Sequence, residues 1–443
     1  MIASARELEN HLLQARKAGA RGVEVLVEHV DHREVVATRR QNVTDRTWSA
    51  SIASVRCWDE AGRPGAAAGP PEDVARLIAD AVARCATGEP DPAEGPAERL
   101  SAITRGLDID DRRAPLLTAE ERVEVVVGNE RAAGRETALF ETGPFTLREA
   151  RERRIFANTR GVLHESWGTR YTCHGSLRSV GLRPEVELHG AAAGRSFSSV
   201  ACLPFGVALG RRAAALSRDA APIDAPIRVL LPPEATAQLV AWLGERFAEA
   251  SMHPGTTFID LGVDGSGPGV LHKRLHLIDD GLAPGGLNTR GFDDRGVPPV
   301  PVTLLREGSF DARYVGVREA RARDLRPTGH EMMDRLTPSN LILNSGTRSI
   351  NALLADFGGA VFMIDTLIDL SGVRTVDAEM DVPVHGIVLE RGKPRGALRH
   401  ARLQGNLLTA LRQVAAVASD TDRVLHVDAP GLFLDGLRVV GGS

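Results

Sequence analysis

The chain has 443 residues, enough for two medium-sized domains with separate cores. Its composition, 43% apolar and 25% charged residues, is typical of a folded globular protein and excludes a disordered chain or a collagen-like repeat. The 54 basic residues are outnumbered by 58 acidic ones, which gives a net charge of −4, so no overall positive field attracts nucleic acid or anionic lipid. We therefore expect neither nucleic acid nor a membrane as a partner.

The cysteines and the N-terminus indicate a cytoplasmic protein. Four cysteines without metal-ligand spacing are too few for the disulfide framework of a secreted domain. The first residues are polar and lack the apolar core of a signal peptide. The longest apolar stretch, residues 358–364, is far too short to span a bilayer.

The first 220 residues alternate between capped helices and strands. Ser4 with Glu7 is a capping box for a first helix that ends at Gly19. Period-two alternation of valines from Gly22 onward predicts strands up to about Trp58. The later elements follow in order: a helix after Pro71, a surface connection over 87–117, a helix capped by Thr118 and Glu121, an antiparallel meander of runs at 136–148, 151–158, 161–178 and 184–199, and a helix over 204–218.

A proline-spaced stretch, residues 219–226, is the candidate domain boundary. After it come a short buried strand at 227–231 and a helix that opens at Pro232-Pro233. The remainder reads as short strands with glycine-rich turns and two further helices, at 349–356 and 408–415. The predicted fold class is therefore α+β: residues 1–220 form helices packed on an antiparallel sheet, and residues 227–443 form a mostly antiparallel β domain.

Neither of the two His-Glu pairs has the spacing of a zinc peptidase helix. His164-Glu165 and His330-Glu331 lack a second histidine one turn further on, which such a helix needs to grip the metal. No P-loop, dinucleotide fingerprint or Gly-x-Ser-x-Gly elbow is present either. From the residues alone, no catalytic group can be assigned.

An ordered series of motifs in the C-terminal half resembles the TldD/PmbA family, also called modulators of DNA gyrase. Asp279-Asp280, Pro284-Gly-Gly286, and Phe292-Asp-Asp-Arg-Gly296 resemble the family's "DD…PGG…FDDEG" run. Further similarities follow in the same order as in the family: Thr328-Gly-His330, Pro338-Ser-Asn340, Gln404-Gly-Asn406-Leu-Leu, and Asp428-Ala-Pro430 near the end. The resemblance covers nearly the whole chain and implies the family's α+β fold.

The resemblance also implies that the protein acts as one of two paired subunits with different roles. In this family, paired subunits enclose a protected cavity, and the TldD-type subunit binds zinc through an HExxxH helix at the start of the C-terminal domain. The corresponding positions here are Ala241-Trp242-Leu243-Gly244-Glu245-Arg246, with Ala241 and Arg246 in place of the imidazoles. Alanine offers no lone pair and a guanidinium is permanently cationic, so this helix cannot hold zinc in the family manner.

We therefore identify the chain as resembling the TldE/PmbA-type subunit, with no metal, cofactor or catalytic residue of its own. The resemblance implies a zinc-binding TldD-like partner, with a homodimer as an option for the chain alone, and a peptide or peptide-like substrate. The substrate-contacting candidates are Arg290, Asp293, Asp294 and His330 in the motif loops. His385 joins them from residues 373–386, which replace the family's "NPVTGDFS" loop.

Three alternatives remain open at this point. The chain could be a self-sufficient hydrolase with Cys173 or Cys202 as nucleophile and His164 or His174 as base. It could be the partner subunit of a hydrolase that processes an amide-bearing natural-product intermediate. It could also be a non-enzymatic binding or assembly protein.

Overall fold

The computed structural model describes residues 5–17, 20–39, 42–135, 138–201, 205–221, 223–259, 271–367 and 369–441. The predicted cap at Ser4, the predicted stop at Gly19 and the candidate nucleophile Cys202 lie outside these residues.

The N-terminal half is built on a six-stranded antiparallel sheet with the strand order β3-β2-β1-β4-β5-β6. Its long central strands pair over almost their whole lengths, with β1 between β2 and β4. The strands are β1 (Gly22–Thr38), β2 (Asn42–Trp58), β3 (Pro64–Gly69), β4 (Phe140–Asn158), β5 (Leu163–Ser179) and β6 (Glu187–Gly194).

Helices cover one face of this sheet in two groups. Helices α1 (Ala5–Lys17) and α2 (Val74–Arg84) bury the valines of β1 in one apolar cluster. Helix α3 (Ala119–Ala133) begins at the predicted capping box, in which Thr118 accepts from the Glu121 amide and the Glu121 carboxylate accepts from the Thr118 amide. With α4 (Phe197–Ala201) and α5 (Phe205–Leu216), α3 packs on the far end of the same face.

The meander differs from the prediction at one point, because residues 136–148 and 151–158 do not form separate strands. A single strand, β4, runs through both. The predicted break falls at Glu149 and Ala150, but both are held in the strand: Ala150 lies between His32 and Arg170 in the sheet, and Glu149 accepts two hydrogen bonds from Arg122 of α3. Pairing of β4 with β1 and β5, together with the ion pair from α3, therefore continues the strand where a turn was expected.

The C-terminal half forms a twelve-stranded, mainly antiparallel sheet with the order β11-β10-β9-β14-β19-β8-β15-β16-β17-β20-β7, and β18 paired to β19. Two of its pairings are parallel, β14 with β19 and β8 with β15. The strands are β7 (Ile223–Pro226), β8 (Arg228–Leu231), β9 (Leu277–Asp279), β10 (Val302–Arg306), β11 (Ser309–Phe310), β14 (Leu341–Leu343), β15 (Ala360–Leu367), β16 (Glu379–Glu390), β17 (Lys393–Asn406), β18 (Val414–Val424), β19 (Val427–Leu434) and β20 (Arg438–Gly441).

Four helices and a small hairpin complete this half. Helix α6 (Pro233–Met252) starts at the predicted proline pair and is buried along most of its length. Helices α8 (Ile350–Asp356) and α9 (Leu407–Arg412) match predicted helices, whereas α7 (Val317–Arg323) was not predicted, because its seven arginine-rich residues show no apolar period. Strands β12 (Glu331–Met332) and β13 (Arg335–Leu336) pair as a two-stranded hairpin.

The two halves share part of their core. Leu209 of α5 belongs to one buried cluster with Leu147 of β4 and Ile387 of β16, so the α3–α5 group lies between the two sheets. Strand β7 falls inside the predicted linker and pairs with β20, so the C-terminal sheet already includes residue 223. The position of a domain boundary stays a prediction.

One stretch, residues 197–216, has the length and apolar composition of a membrane span. Core helices of soluble proteins meet the same criterion, and the apolar side chains Leu209, Ala213 and Leu216 of α5 are buried in the protein. The cytoplasmic location stays a prediction.

Candidate functional site

A cleft of about 770 Å³ separates the N-terminal sheet from the loops of the C-terminal half. Alternation along the paired strands places Val30, Ile52, Glu152 and Arg170 on the face of the sheet opposite the helices. Loop residues 288–290, the β12–β13 hairpin, His426 and α6 contribute from the other side. The cleft is therefore assembled from both halves of the chain.

Arg154 of β4 fixes the two halves against each other at the edge of the cleft. Its guanidinium donates to Glu28 on β1 at 2.9 Å, to the Phe292 carbonyl at 3.1 Å and to the Asp294 carboxylate. It also lies over the Phe292 ring, 5.4 Å from the centroid. A buried arginine with two carboxylate partners is electrically neutralised, so Arg154 is a structural connection.

Arg195, just after β6, makes a second connection with a different chemistry. Its guanidinium donates to three carbonyl oxygens, those of Thr169 (3.1 Å), Gly286 (3.2 Å) and Thr289 (2.9 Å). The residue is 6% exposed, and within the described chain no carboxylate lies within ion-pair distance. Burial, reinforced by the positive charge of Arg170, lowers the pKa of Arg195 to about 10. Arg195 is thus a buried cation whose hydrogen-bond partners are neutral.

Of the five predicted contact residues, Arg290 lines the cleft. Its two terminal nitrogens make long hydrogen bonds, 3.4 Å to the Asn288 carbonyl and 3.3 Å to the Gly329 carbonyl. Its Nε is buried and has no hydrogen-bond partner among the described residues. Burial lowers the pKa of this guanidinium, while the nearby carboxyl groups of Asp293 and Asp279 oppose that effect.

Asp293 and Asp294 lie behind the cleft and organise its loops. Asp293, 1% exposed, accepts from the amides of Arg295 (2.9 Å), Val297 (2.9 Å) and Glu331 (3.1 Å). Asp294, 7% exposed, accepts from Arg154 and from the Met333 amide. Protein donors therefore occupy both carboxylates, which gives Asp293 and Asp294 a structural role, and their direct contact with substrate stays a prediction.

His330 is also buried and does not line the cleft. It is 0% exposed, its Nδ1 lies 2.8 Å from the Thr328 carbonyl, and its Nε2 lies 3.5 Å from Asp279 Oδ2. The same Asp279 oxygen accepts from the Tyr314 hydroxyl at 2.7 Å and from the Ser339 amide at 2.7 Å. Desolvation lowers the pKa of His330 to about 4, so the imidazole is neutral at pH 7 and supports the loops that carry Arg290.

His385 lies in a different place, in β16, and is 5% exposed. Its Nδ1 accepts from the His400 amide at 3.3 Å, and the two imidazole centroids are 5.4 Å apart. The described residues that line the cleft come from outside 373–386. The structure therefore gives His385 no route to a ligand in the cleft.

Helix α6 reaches the cleft through Glu245. The position of the first family imidazole is Ala241, which packs against the C-terminal core, and Trp242 stacks on Phe258 with centroids 6.0 Å apart. Arg246 makes an ion pair of 2.7 Å with Glu249 and lies 5.5 Å above the Trp242 ring. These side chains are held by contacts with the protein and do not fit a divalent metal, and the described residues contain no group of three or more His, Cys, Asp or Glu side chains placed to bind one.

The structure argues against Cys173 as a nucleophile. Cys173 is 0% exposed inside the apolar cluster under α3 and α5, and burial raises the pKa of its thiol to about 12. His164 lies nine residues away on the same strand, about 30 Å at the usual rise per residue. His174 is adjacent in sequence, so its side chain leaves the strand on the opposite face.

Two further arginines that line the cleft, Arg170 and Arg195, were not predicted. Both stand among polar residues of a predicted meander, where an arginine is usually solvated. The signal that could have singled out Arg195 is Gly168: a Cβ there would lie 3.3 Å from the Arg195 guanidinium. That close approach becomes visible only when the strands are paired.

Three comparisons relate the chain to known proteins. Residues 225–441 match the PmbA/TldA metallopeptidase C-terminal domain. The metalloprotease PmbA of Escherichia coli O157:H7 is 21% identical over 377 residues, 84% of this chain and 81% of that protein.

Solved structures have the same fold over nearly the whole chain. A modulator of DNA gyrase from Bacteroides thetaiotaomicron superposes with a TM-score of 0.85 at 14% identity, covering 100% of both chains. TldE from Thermococcus kodakarensis superposes with a TM-score of 0.85 at 16% identity, covering 99% of this chain and 100% of that one. The predicted α+β fold class and the family resemblance are confirmed.

Proposed function

Because the chain belongs to the PmbA/TldD metallopeptidase family, we propose that it is the metal-free, TldE-type subunit of a two-subunit peptidase. In this proposal its partner is a TldD-like subunit that carries zinc on an HExxxH helix. The present chain closes the chamber and positions a peptide or peptide-like substrate beside that metal.

The observation that carries the proposal is the state of α6. A zinc helix needs two imidazoles facing one metal, and here Ala241 is packed into the core while Arg246 is paired with Glu249. Hydrolysis of an amide by a metallopeptidase requires a metal-activated water, a carboxylate base and stabilisation of the oxyanion. The side chains on α6 supply no metal ligand set, so the bond-breaking step is assigned to the partner.

The cleft supports a role in holding an extended ligand. Its volume of about 770 Å³ is within the range of small-molecule and peptide sites, and it exposes polar and apolar side chains from both halves. Connections such as Arg154 and Arg195 fix the relative position of its two walls. A rigid cleft of this kind orients a substrate without contributing a nucleophile.

The test is metal analysis and peptidase assay of the chain alone and of the chain co-expressed with the HExxxH homologue of the same organism. We expect no stoichiometric zinc in the isolated chain, co-purification of the two chains, and hydrolysis of unstructured peptides only by the complex. A complex whose partner has both zinc-ligating histidines replaced by alanine is the matched control and should be inactive. Stoichiometric zinc and activity in the isolated chain would overturn the proposal.

A further inference from the structure

Three arginines that line the cleft, Arg170 on the sheet side, Arg290 on the loop side and Arg195 between them, have no carboxylate nearer than Glu152, 3.7 Å from Arg170, among the described residues. Arg195 is 6% exposed and has only carbonyl partners, and Arg290 makes only the two long carbonyl contacts. Arg170 has its nearest carboxylate, Glu152, at 3.7 Å, and its Nε has no hydrogen-bond partner in the described part of the chain. Arg170 and Arg290 therefore each have an N–H donor without a partner among the described residues.

Arg170 and Arg290 are each close enough to Arg195 for their positive charges to act on it. Besides burial, the positive charges of both Arg170 and Arg290 lower the pKa of Arg195. Like charges close together in a partly desolvated cleft cost free energy unless a bound anion neutralises them. A cluster of this kind in an open cleft is typical of a binding site.

Acidic side chains near the arginines limit the negative charge of an anion that the cleft can bind. Glu152 stands beside Arg170, and Glu245 of α6 lines the same cleft. Arg154, the neighbouring cation, is already neutralised by Glu28 and Asp294. With these acids in the cleft, and with the carboxyl groups of Asp293 and Asp279 near Arg290, the arginines suit a singly charged anion better than a phosphate dianion.

We propose that Arg170, Arg195 and Arg290 form a subsite for one carboxylate group of a bound peptide. Planar guanidinium groups pair with carboxylates through strong, directional hydrogen bonds. Ile52, 44% exposed, and Met333, 75% exposed, line the same cleft and offer apolar surface to a neighbouring side chain. The ligand class is thus a peptide in which a carboxylate stands near a large apolar residue, which rests on the proposed function in peptide positioning.

Binding of three short peptides to the full-length chain tests this subsite. The probes carry an uncharged boron-dipyrromethene dye at the N-terminus: Ala-Ala-Leu with a free C-terminal carboxylate, Ala-Ala-Leu amide, and Glu-Ala-Leu amide. Fluorescence anisotropy should show the free carboxylate binding about tenfold more tightly than the plain amide, with the preference weakening as salt rises. Tight binding of the Glu-containing amide would assign the carboxylate to an acidic side chain, and weak binding would assign it to the C-terminus.

Two arginine variants locate the preference. Arg290→Gln and Arg170→Gln should each reduce the carboxylate preference, measured as the ratio of the affinities for the carboxylate and amide peptides, severalfold. Arg170 is 36% exposed, so its replacement is tolerated if Arg290→Gln fails to fold. Arg183→Gln, at a side chain 81% exposed and outside the cleft, is the matched control and should keep the full preference.

Equal affinity for the carboxylate and amide peptides, or a preference that survives both substitutions, would overturn the subsite. The result is separable from the proposed function. An active complex without carboxylate preference would remove the subsite alone, whereas carboxylate binding by a chain that never pairs with a zinc-bearing homologue would remove the proposed subunit role alone.

Discussion

Glu24 of β1 and Arg295 of the motif loop form a buried ion pair between the two halves of the chain. Arg295 Nε lies 2.7 Å from Glu24 Oε2, and the side chains are 7% and 2% exposed. Glu24 also accepts from the Ala97 amide at 2.7 Å, and Arg295 donates to the Gly95 carbonyl at 2.9 Å. The pair therefore joins the N-terminal sheet, the long 87–117 connection and the motif loop at one point.

Replacing Glu24 by glutamine should destabilise the protein by about 3 kcal/mol, because the Arg295 charge would stay buried and, among the described residues, would keep Glu331, at 3.6 Å, as its ion-pair partner. Urea denaturation followed by circular dichroism measures the change in the free energy of unfolding. The matched control is Glu390→Gln, which breaks an ion pair with Arg395 whose side chains are 45% and 64% exposed. That control should cost less than about 1 kcal/mol, and equal costs for the two variants would contradict the structural role of the buried pair.

Gly329 precedes His330 and has a backbone conformation that excludes a side chain. Its φ is +73°, and a Cβ would lie 2.5 Å from Pro299 Cα and 2.6 Å from the Pro298 carbonyl carbon. We expect Gly329→Ala to cost about 3 kcal/mol, the sum of a left-handed backbone strain and an overlap with rigid backbone. The melting temperature and the free energy of unfolding both report this loss.

Gly161 offers a control with the same backbone conformation and no crowding. Its φ is +81°, and nothing lies within 4 Å of an added Cβ. Gly161→Ala should therefore cost only the strain of the left-handed conformation, about 1 kcal/mol. If both alanine variants lost the same free energy of unfolding, the close approach of Pro298 and Pro299 to Gly329 would contribute nothing to the cost of the substitution.

The sequence predicted elements well where local chemistry decides them. The capping box of Thr118 and Glu121, the proline pair before α6 and the valine alternation of β1 all specify structure within a few residues. Prediction was poorer where partners distant in the chain decide the structure, as in β4, which continues through polar residues because neighbouring strands pair with them.

The candidate site shows the same division. Motif resemblance led to Arg290, which lines the cleft, but it could not distinguish a displayed side chain from a buried one, so Asp293 and His330 were predicted as contacts. Asp293 accepts from the Glu331 amide, 38 residues away, as well as from two nearby amides, and His330 packs against the Tyr314 ring. Arg195 was missed for the complementary reason, since its three carbonyl partners belong to β5 and to a loop about ninety residues later.

The buried imidazole of His385 should make stability depend on pH. Desolvation first, and then the positive charge of His400, lower the pKa of His385 to about 4, while Asp365 opposes and Arg212 reinforces the shift. Since the pKa in the folded state lies below the value near 6.5 of the unfolded chain, the stabilisation is present above pH 6.5. It is lost as the pH falls from about 6.5 towards 4, because the unfolded chain then binds a proton that the folded chain does not.

Comparison with His385→Asn isolates this effect, because asparagine keeps an acceptor for the His400 amide and does not titrate. The free energy of unfolding of the wild type minus that of the variant should fall by on the order of 2 kcal/mol between pH 7 and pH 4.5. Replacement of the exposed His189 by asparagine, at a side chain 73% exposed, serves as the control and should leave the difference flat. A flat difference for His385→Asn as well would show that this imidazole titrates normally in the folded protein.

The hydroxyl of Tyr314 and the carboxylate of Asp279 should be energetically coupled. The two groups are completely buried, their oxygens lie 2.7 Å apart, and Asp279 Oδ2 also accepts from the Ser339 amide. Tyr314→Phe removes a donor from a buried carboxylate, so we expect a loss of about 2 kcal/mol.

The second variant of a double-mutant cycle is Asp279→Asn. The double mutant should lose about 1 kcal/mol less stability than the sum of the two single losses, because the second substitution removes a contact that the first has already broken. A cycle that combines Tyr314→Phe with Val74→Ala, in the separate core under α2, should be additive within about 0.5 kcal/mol. Additivity in both cycles would show that the tyrosine does not stabilise Asp279. Coupling in the first cycle alone would support the view that this buried cluster holds the loop of Arg290 against the cleft.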